Sequence, residues 1–201
     1  MTSSRVRFST ARDVFAAFQD LRRFVPPPAD DCPPLDYVRR LMASRRPIDA
    51  TAFLAHLLPR REAVWWARQC VGAILGARAE DEALRAAEAW VRAPEEERRR
   101  AALAVGMAGD QERPTTWLAL AAGQSGGSVS APDQKPIAPA PAACAQAANA
   151  AIVLAICVQD PRIIGAWIAA CVEAGVRFAE GGEARVIVPA AREAPLAPRR
   201  E

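Results

Sequence analysis

The chain has 201 residues, 51% of them hydrophobic and 24% charged, which is an ordinary globular balance and enough for one domain or two small lobes. Its net charge is only +3, from 26 basic and 23 acidic residues spread along the chain. Without a clustered basic face or a recognisable module, this argues against nucleic-acid binding. The five cysteines (Cys32, Cys70, Cys144, Cys157 and Cys171) are odd in number and show no CxxC spacing, and His56 is the single histidine. That composition speaks against a disulfide framework and a zinc site, and for reduced thiols used as small buried hydrophobes. The polar start, Met1-Thr2-Ser3-Ser4-Arg5, lacks the apolar core of a signal peptide, so the expected compartment is the cytoplasm.

Alanine dominates the apolar residues, and alanine favours helix over strand. Ser9 and Thr10 can cap a first helix carrying Val14, Phe15, Phe18 and Leu21 on one side. Pro26-Pro27-Pro28 stops it. Pro33-Pro34 opens a second helix through Tyr37, Val38, Leu41 and Met42. Pro47 opens a third, with Phe53, Leu54, Leu57 and Leu58 as its apolar side.

The fourth helix begins at Pro59 and runs to about Gly76, reading Arg60-Arg61-Glu62-Ala63-Val64-Trp65-Trp66-Ala67 at its start. Val64, Ala67, Val71, Ile74 and Leu75 make one broad stripe, with Trp66, Cys70 and Ala73 on its shoulder. A helix apolar around most of its circumference is expected at the centre of the fold. A fifth helix starts near Glu80-Asp81-Glu82. A sixth starts near Pro94 with Glu95-Glu96-Glu97, each followed three residues later by one of Arg98, Arg99 and Arg100. Pro114 opens a seventh.

Residues 123–141 read as a Gly/Ser turn and then a polyproline-like run, either a linker between lobes 1–122 and 142–180 or an ordered strap. Val129 and Ile137 favour the strap. Two further helices follow, about 142–158 and 161–179. The tail, 181–201, contains a short β-like piece at Arg185-Val186-Ile187-Val188 and otherwise has the composition of a flexible segment. The expectation is an all-α fold of about nine helices: stacked antiparallel hairpins in an irregular bundle or short solenoid, one helical domain over 1–180, with a Pro-rich strap. Residues 142–172 are apolar enough to pose a membrane hairpin, but a buried hairpin suits their length better, so no membrane insertion is expected. Pro59-Arg60 with Trp65 and Ala67 is echoed by Pro161-Arg162 with Trp167 and Ala169, too weakly to establish a duplication.

No catalytic constellation stands out. His56 lies in a helix between Ala55 and Leu57, and no GxSxG elbow is present. Gly123-Gln124-Ser125-Gly126-Gly127-Ser128 lacks the ending of a P-loop and reads as a turn. The runs 80–82 and 95–97 sit at helix starts, where acids favour the dipole. No catalytic, cofactor-binding or metal-binding residue is assigned, and no cofactor is expected. Trp65 and Trp66 project about 100° apart. Both fit the core, or one lines a groove for a partner protein, framed by Arg60, Arg61 and Arg68.

The segment 58–67, together with Trp117-Leu118-Ala119-Leu120-Ala121-Ala122, Ser125-Gly126-Gly127-Ser128 and the Pro-rich run to Pro141, resembles an uncharacterised family of small helical bacterial proteins associated with type VI secretion gene clusters. The resemblance covers about residues 50–180 and implies no catalytic residues. The function expected from these features is a non-enzymatic adaptor or accessory protein that binds another protein. The alternatives are an enzyme with a site built from scattered Arg, Glu and Asp, or a membrane-associated protein using 142–172.

Overall fold

The computed structural model describes residues 4–189, and over that span the chain is all-α. Nine α-helices follow in order: α1 Ala11–Ala17, α2 Pro34–Ala43, α3 Pro47–Leu57, α4 Arg60–Leu75, α5 Glu82–Arg92, α6 Glu96–Ala108, α7 Pro114–Gly123, α8 Ala143–Cys157 and α9 Ile164–Ala179. Proline opens α2, α3 and α7 in the first turn, where its missing N–H costs nothing. Thr10 caps α1 through a capping box, its hydroxyl accepting from Asp13 N–H while the Asp13 carboxylate accepts from Thr10 N–H.

Several boundaries depart from the sequence expectation. The first helix does not run on to Leu21. It breaks at Phe18, and a short 3-10 turn, Gln19–Arg23, carries Leu21 into the core instead. The break lets Phe18 turn its edge to His56 on α3, with ring centres 5.1 Å apart. Between α4 and α5 the chain turns at Gly76 with φ 56° and makes a second 3-10 turn, Gly76–Ala79. The last helix starts at Ile164, three residues beyond Pro161, because Asp160 and Arg162 close a tight polar turn ahead of it.

Helix α4 touches α3, α5, α7, α8 and α9 and lies at the middle of the stack. The more enclosed helix is α7, whose residues Pro114–Gly123 are buried except Trp117. It fits because its surface is small. A Cβ on Gly123 would come within 2.5 Å of Leu103 Cα, so α6 and α7 cross almost backbone to backbone. Alanines at 147, 148, 151 and 155 give α8 the same slim profile against α4 and α7. Buried residues from every helix join one contiguous apolar cluster.

Residues 124–142 join α7 to α8; their first part is tied to α6 by Arg99 and Arg100, while 131–138 are exposed, Ile137 among them at 59%. Val129 N–H donates to Ile137 O at 2.8 Å, Ser128 Oγ accepts from Ile137 N–H, and Arg100 reaches Ser130 O. The segment 183–189 has no strand partner among the described residues; Ala184 and Val186 turn inward while Ile187 and Val188 are exposed. Of the tail, 190–201 lies outside the described residues. No helix of the described residues is long and apolar enough to cross a membrane.

Candidate functional site

The two adjacent tryptophans are sorted by the helical turn between them. Trp66 is completely buried, and its indole N–H donates to Cys171 O on α9 at 2.9 Å. A Cβ on Gly175 would come within 2.9 Å of the same indole, so glycine is what admits α9 there. Trp66 therefore belongs to the core and offers no surface to a partner. Trp65 points about 100° away and stays half-buried at the rim.

Around Trp65 lies a cleft of about 280 Å³, lined by Arg5, Arg61, Glu62, Val91, Arg92 and Phe178. It continues into a groove past Gln69, Ala73 and the extended residues 182–186. Two helix C-termini meet at the cleft, and an arginine caps each. Arg61 donates from Nε to Val91 O at 2.7 Å and from Nη2 to Arg92 O, at the end of α5. Arg5 donates from Nη1 to Phe178 O and Gly182 O, at the end of α9, and its guanidinium sits 4.1 Å from the centre of the Phe178 ring. Cations are favourable at such ends, where carbonyls lack helical partners.

The three arginines expected to frame a groove have separate tasks. Only Arg61 lines the cleft. Arg68 lies behind Trp65, its guanidinium 5.8 Å from the ring centre, and donates to Glu88 at 3.0 Å. Arg60 points away and donates to Ser125 O at 2.7 Å, so it ties the start of α4 to the Gly/Ser turn. Glu88 also accepts from Arg92. Burial opposes its ionisation, but the Arg92 and Arg68 guanidiniums outweigh that and hold its carboxyl below the usual range. Arg5, Val91, Arg92 and Phe178 carry no local signal in the sequence. They converge only because α5 and α9 end at the same place.

The other candidate groups take structural positions. Asp81 caps α5 by accepting from Leu84 N–H at 2.8 Å, and its second oxygen accepts from Thr115 and Arg113. Glu95 and Glu96 pair with Arg98 and Arg99 along α6. In the turn 123–128, carbonyl oxygens of Gly123, Ser125 and Ser128 face Arg99, Arg60 and Arg99 in turn. Cys70 is buried against Cys171, and burial raises the Cys70 thiol; burial also pushes Cys144 up to about 12. The Cys70 and Cys144 thiols stay protonated near neutrality and are weak nucleophiles. Among the described residues, no three His, Cys, Asp or Glu side chains gather as a metal ion would require.

His56 is buried, with Nδ1 2.8 Å from Ala52 O, so Nδ1 carries the proton and Nε2 faces the interior with no partner. Burial lowers its pKa below the ordinary 6.5, partly offset by the bond to Ala52. The unfolded chain thus takes up a proton that the folded chain refuses. Stability from this site is complete above about pH 6.5 and is lost as the pH falls below it, levelling off under the folded value. Urea midpoints measured across that window should fall for the natural chain and fall less for His56→Gln. Parallel profiles for the two would dismiss this assignment.

By fold and site, this is an all-α protein with an arginine-capped tryptophan cleft. Residues 37–179 match the family of unknown function DUF6931, and the chain belongs to that family. No curated protein and no solved structure matches it. The family region supplies α3 to α9 and most of the cleft, while Arg5 comes from outside it.

Proposed function

We propose that this chain is a non-enzymatic adaptor or accessory protein that grips another protein through the Trp65 cleft. The observation that carries this reading is Trp65 itself. A large indole is left half-buried at a concave site with Phe178 and Val91, where the guanidinium groups of Arg5, Arg61 and Arg92 gather. Tryptophan and arginine are the residues that most often dominate binding at protein interfaces. The resemblance of segments 58–67 and 117–141 to proteins of bacterial type VI secretion clusters supports a cytoplasmic role beside such an apparatus.

Affinity capture of the tagged chain at native abundance tests the reading. Trp65→Ala is expected to release the captured partner while costing about 1 kcal/mol of stability, as a half-buried rim residue should. A partner held equally by Trp65→Ala, or no partner in either capture, would remove the proposal. The genes beside this one should include components of the secretion machinery if the placement is right.

A further inference from the structure

The cleft has a sign as well as a shape. Arg5, Arg61 and Arg92 line the cleft beside Glu62, Arg68 and its partner Glu88 lie behind Trp65, and the adjoining groove adds Glu183 and Arg185. The two helix ends contribute roughly half a negative charge each, which leaves the excess of positive charge uncancelled. Neither Arg5 nor Arg61 meets a carboxylate among the described residues; each is spent on neutral carbonyl oxygens.

The guanidiniums also keep donors in reserve. Arg5 uses Nη1 alone, Arg61 uses Nε and Nη2, and Arg92 uses Nη2 on Glu88. A guanidinium carries five N–H groups in a fixed fork, so each has donors left for an incoming acceptor. The caps hold the forks of Arg5 and Arg61 in place before any ligand arrives, which reduces the ordering cost of binding. Between the forks the apolar surface left open is that of half-buried Trp65, while Phe178 and Val91 are buried beneath it and Arg5 lies over the Phe178 ring. The space, about 280 Å³, falls just below what whole small-molecule ligands occupy and suits a single bulky side chain. The adjoining groove gives room for backbone on one side.

Resting on the adaptor reading above, we infer that the partner presents a short acidic peptide to this cleft: one bulky apolar side chain against Trp65, with aspartate or glutamate beside it on Arg5, Arg61 and Arg92. Carboxylates are the acceptors that match a guanidinium fork in two places at once.

A positional-scanning library of fluorescein-labelled synthetic heptapeptides, titrated against the full chain, tests this. Pools pairing a bulky apolar residue with flanking Asp or Glu should bind about tenfold tighter than the matching Lys or Arg pools. That preference should shrink as salt is raised. Trp65→Ala should abolish binding by all pools, and Arg92→Gln, which touches no cap, should weaken the acidic pools by roughly threefold. Selection of basic or uncharged pools, no selection at all, or an acidic preference that survives Trp65→Ala would overturn the inference. A single-stranded oligonucleotide outcompeting the acidic pools would do so too. Should no acidic preference appear while Trp65→Ala still releases the native partner, the adaptor reading stands and only the acidic peptide falls. Should Trp65→Ala release nothing and no pool bind, both fall.

Discussion

Trp66→Ala is expected to lower the stability of the fold by about 3–5 kcal/mol. The side chain is completely buried, and it fills the space where α4 meets α9. Removing it leaves a cavity that Gly175 cannot fill and strips Cys171 O of the indole N–H. Urea unfolding should show a lower midpoint with an unchanged slope, since the surface exposed on unfolding stays nearly the same. Trp66→Phe should recover part of the loss by restoring apolar volume without the donor. A cost for Trp66→Ala no larger than that of Trp65→Ala would contradict the division of the two tryptophans into core and rim.

Arg99→Met is the second large expected effect. Arg99 is only 3% exposed, yet it carries a charge. It serves Gly123 O and Ser128 O, and it chelates Glu96 through Nε and Nη2. Methionine keeps the length of the stem but leaves the carbonyls without their donor, at about 1–3 kcal/mol for each buried one. Hydrogen exchange should accelerate across residues 124–130 while the amides of α9 keep their protection. The hydrogen bond from Arg99 also holds the Glu96 carboxyl below its ordinary 4.5, against slight burial and with help from Arg100. A depressed carboxyl adds stability that is present above its unfolded value and lost as the pH falls through the folded one. That acid-limb loss should therefore shrink in the variant. Gly127→Ala should loosen the same turn, because Gly127 has φ 61° and its Cβ would stand 2.8 Å from Arg99. Unchanged exchange at 124–130 in Arg99→Met would show that the strap does not depend on this side chain.

The order of the helices was largely legible, because proline at helix starts and the spacing of apolar residues are local signals. The Arg60–Leu75 helix could be placed inside the stack from its apolar circumference alone. The break at Phe18 was not legible, since the contact it permits, with His56, lies on another helix. Arg99 read as one more solvated partner of an acidic run. Its burial comes from the turn folding back onto α6, and no pattern within α6 announces that. The β-propensity of 185–188 likewise finds no neighbouring strand among the described residues, and a ladder needs a second edge. Of the cleft, Trp65 and Arg61 could be named as candidates. Arg5 and Phe178 could not, because 173 residues separate the donor from the carbonyl it caps. The two segments that carried the family resemblance are joined in space by Arg60 donating to Ser125 O, so their shared pattern reflects a packing contact as much as a site.

The cleft is drawn from four distant stretches of chain, around residues 5, 61–65, 91–92 and 178. Closing so long a loop is entropically slow and comes after local helices have formed. The walls therefore exist together only when α9 has docked and the first residues have crossed its end. On the adaptor reading, a ligand of this cleft would discriminate finished molecules from unfinished ones, because a ribosome-bound or truncated chain lacking α9 has neither Phe178 nor the carbonyls that fix Arg5. Recruitment at this site would act as an inspection of assembly, engaging only chains in which Arg5 has already reached the end of α9.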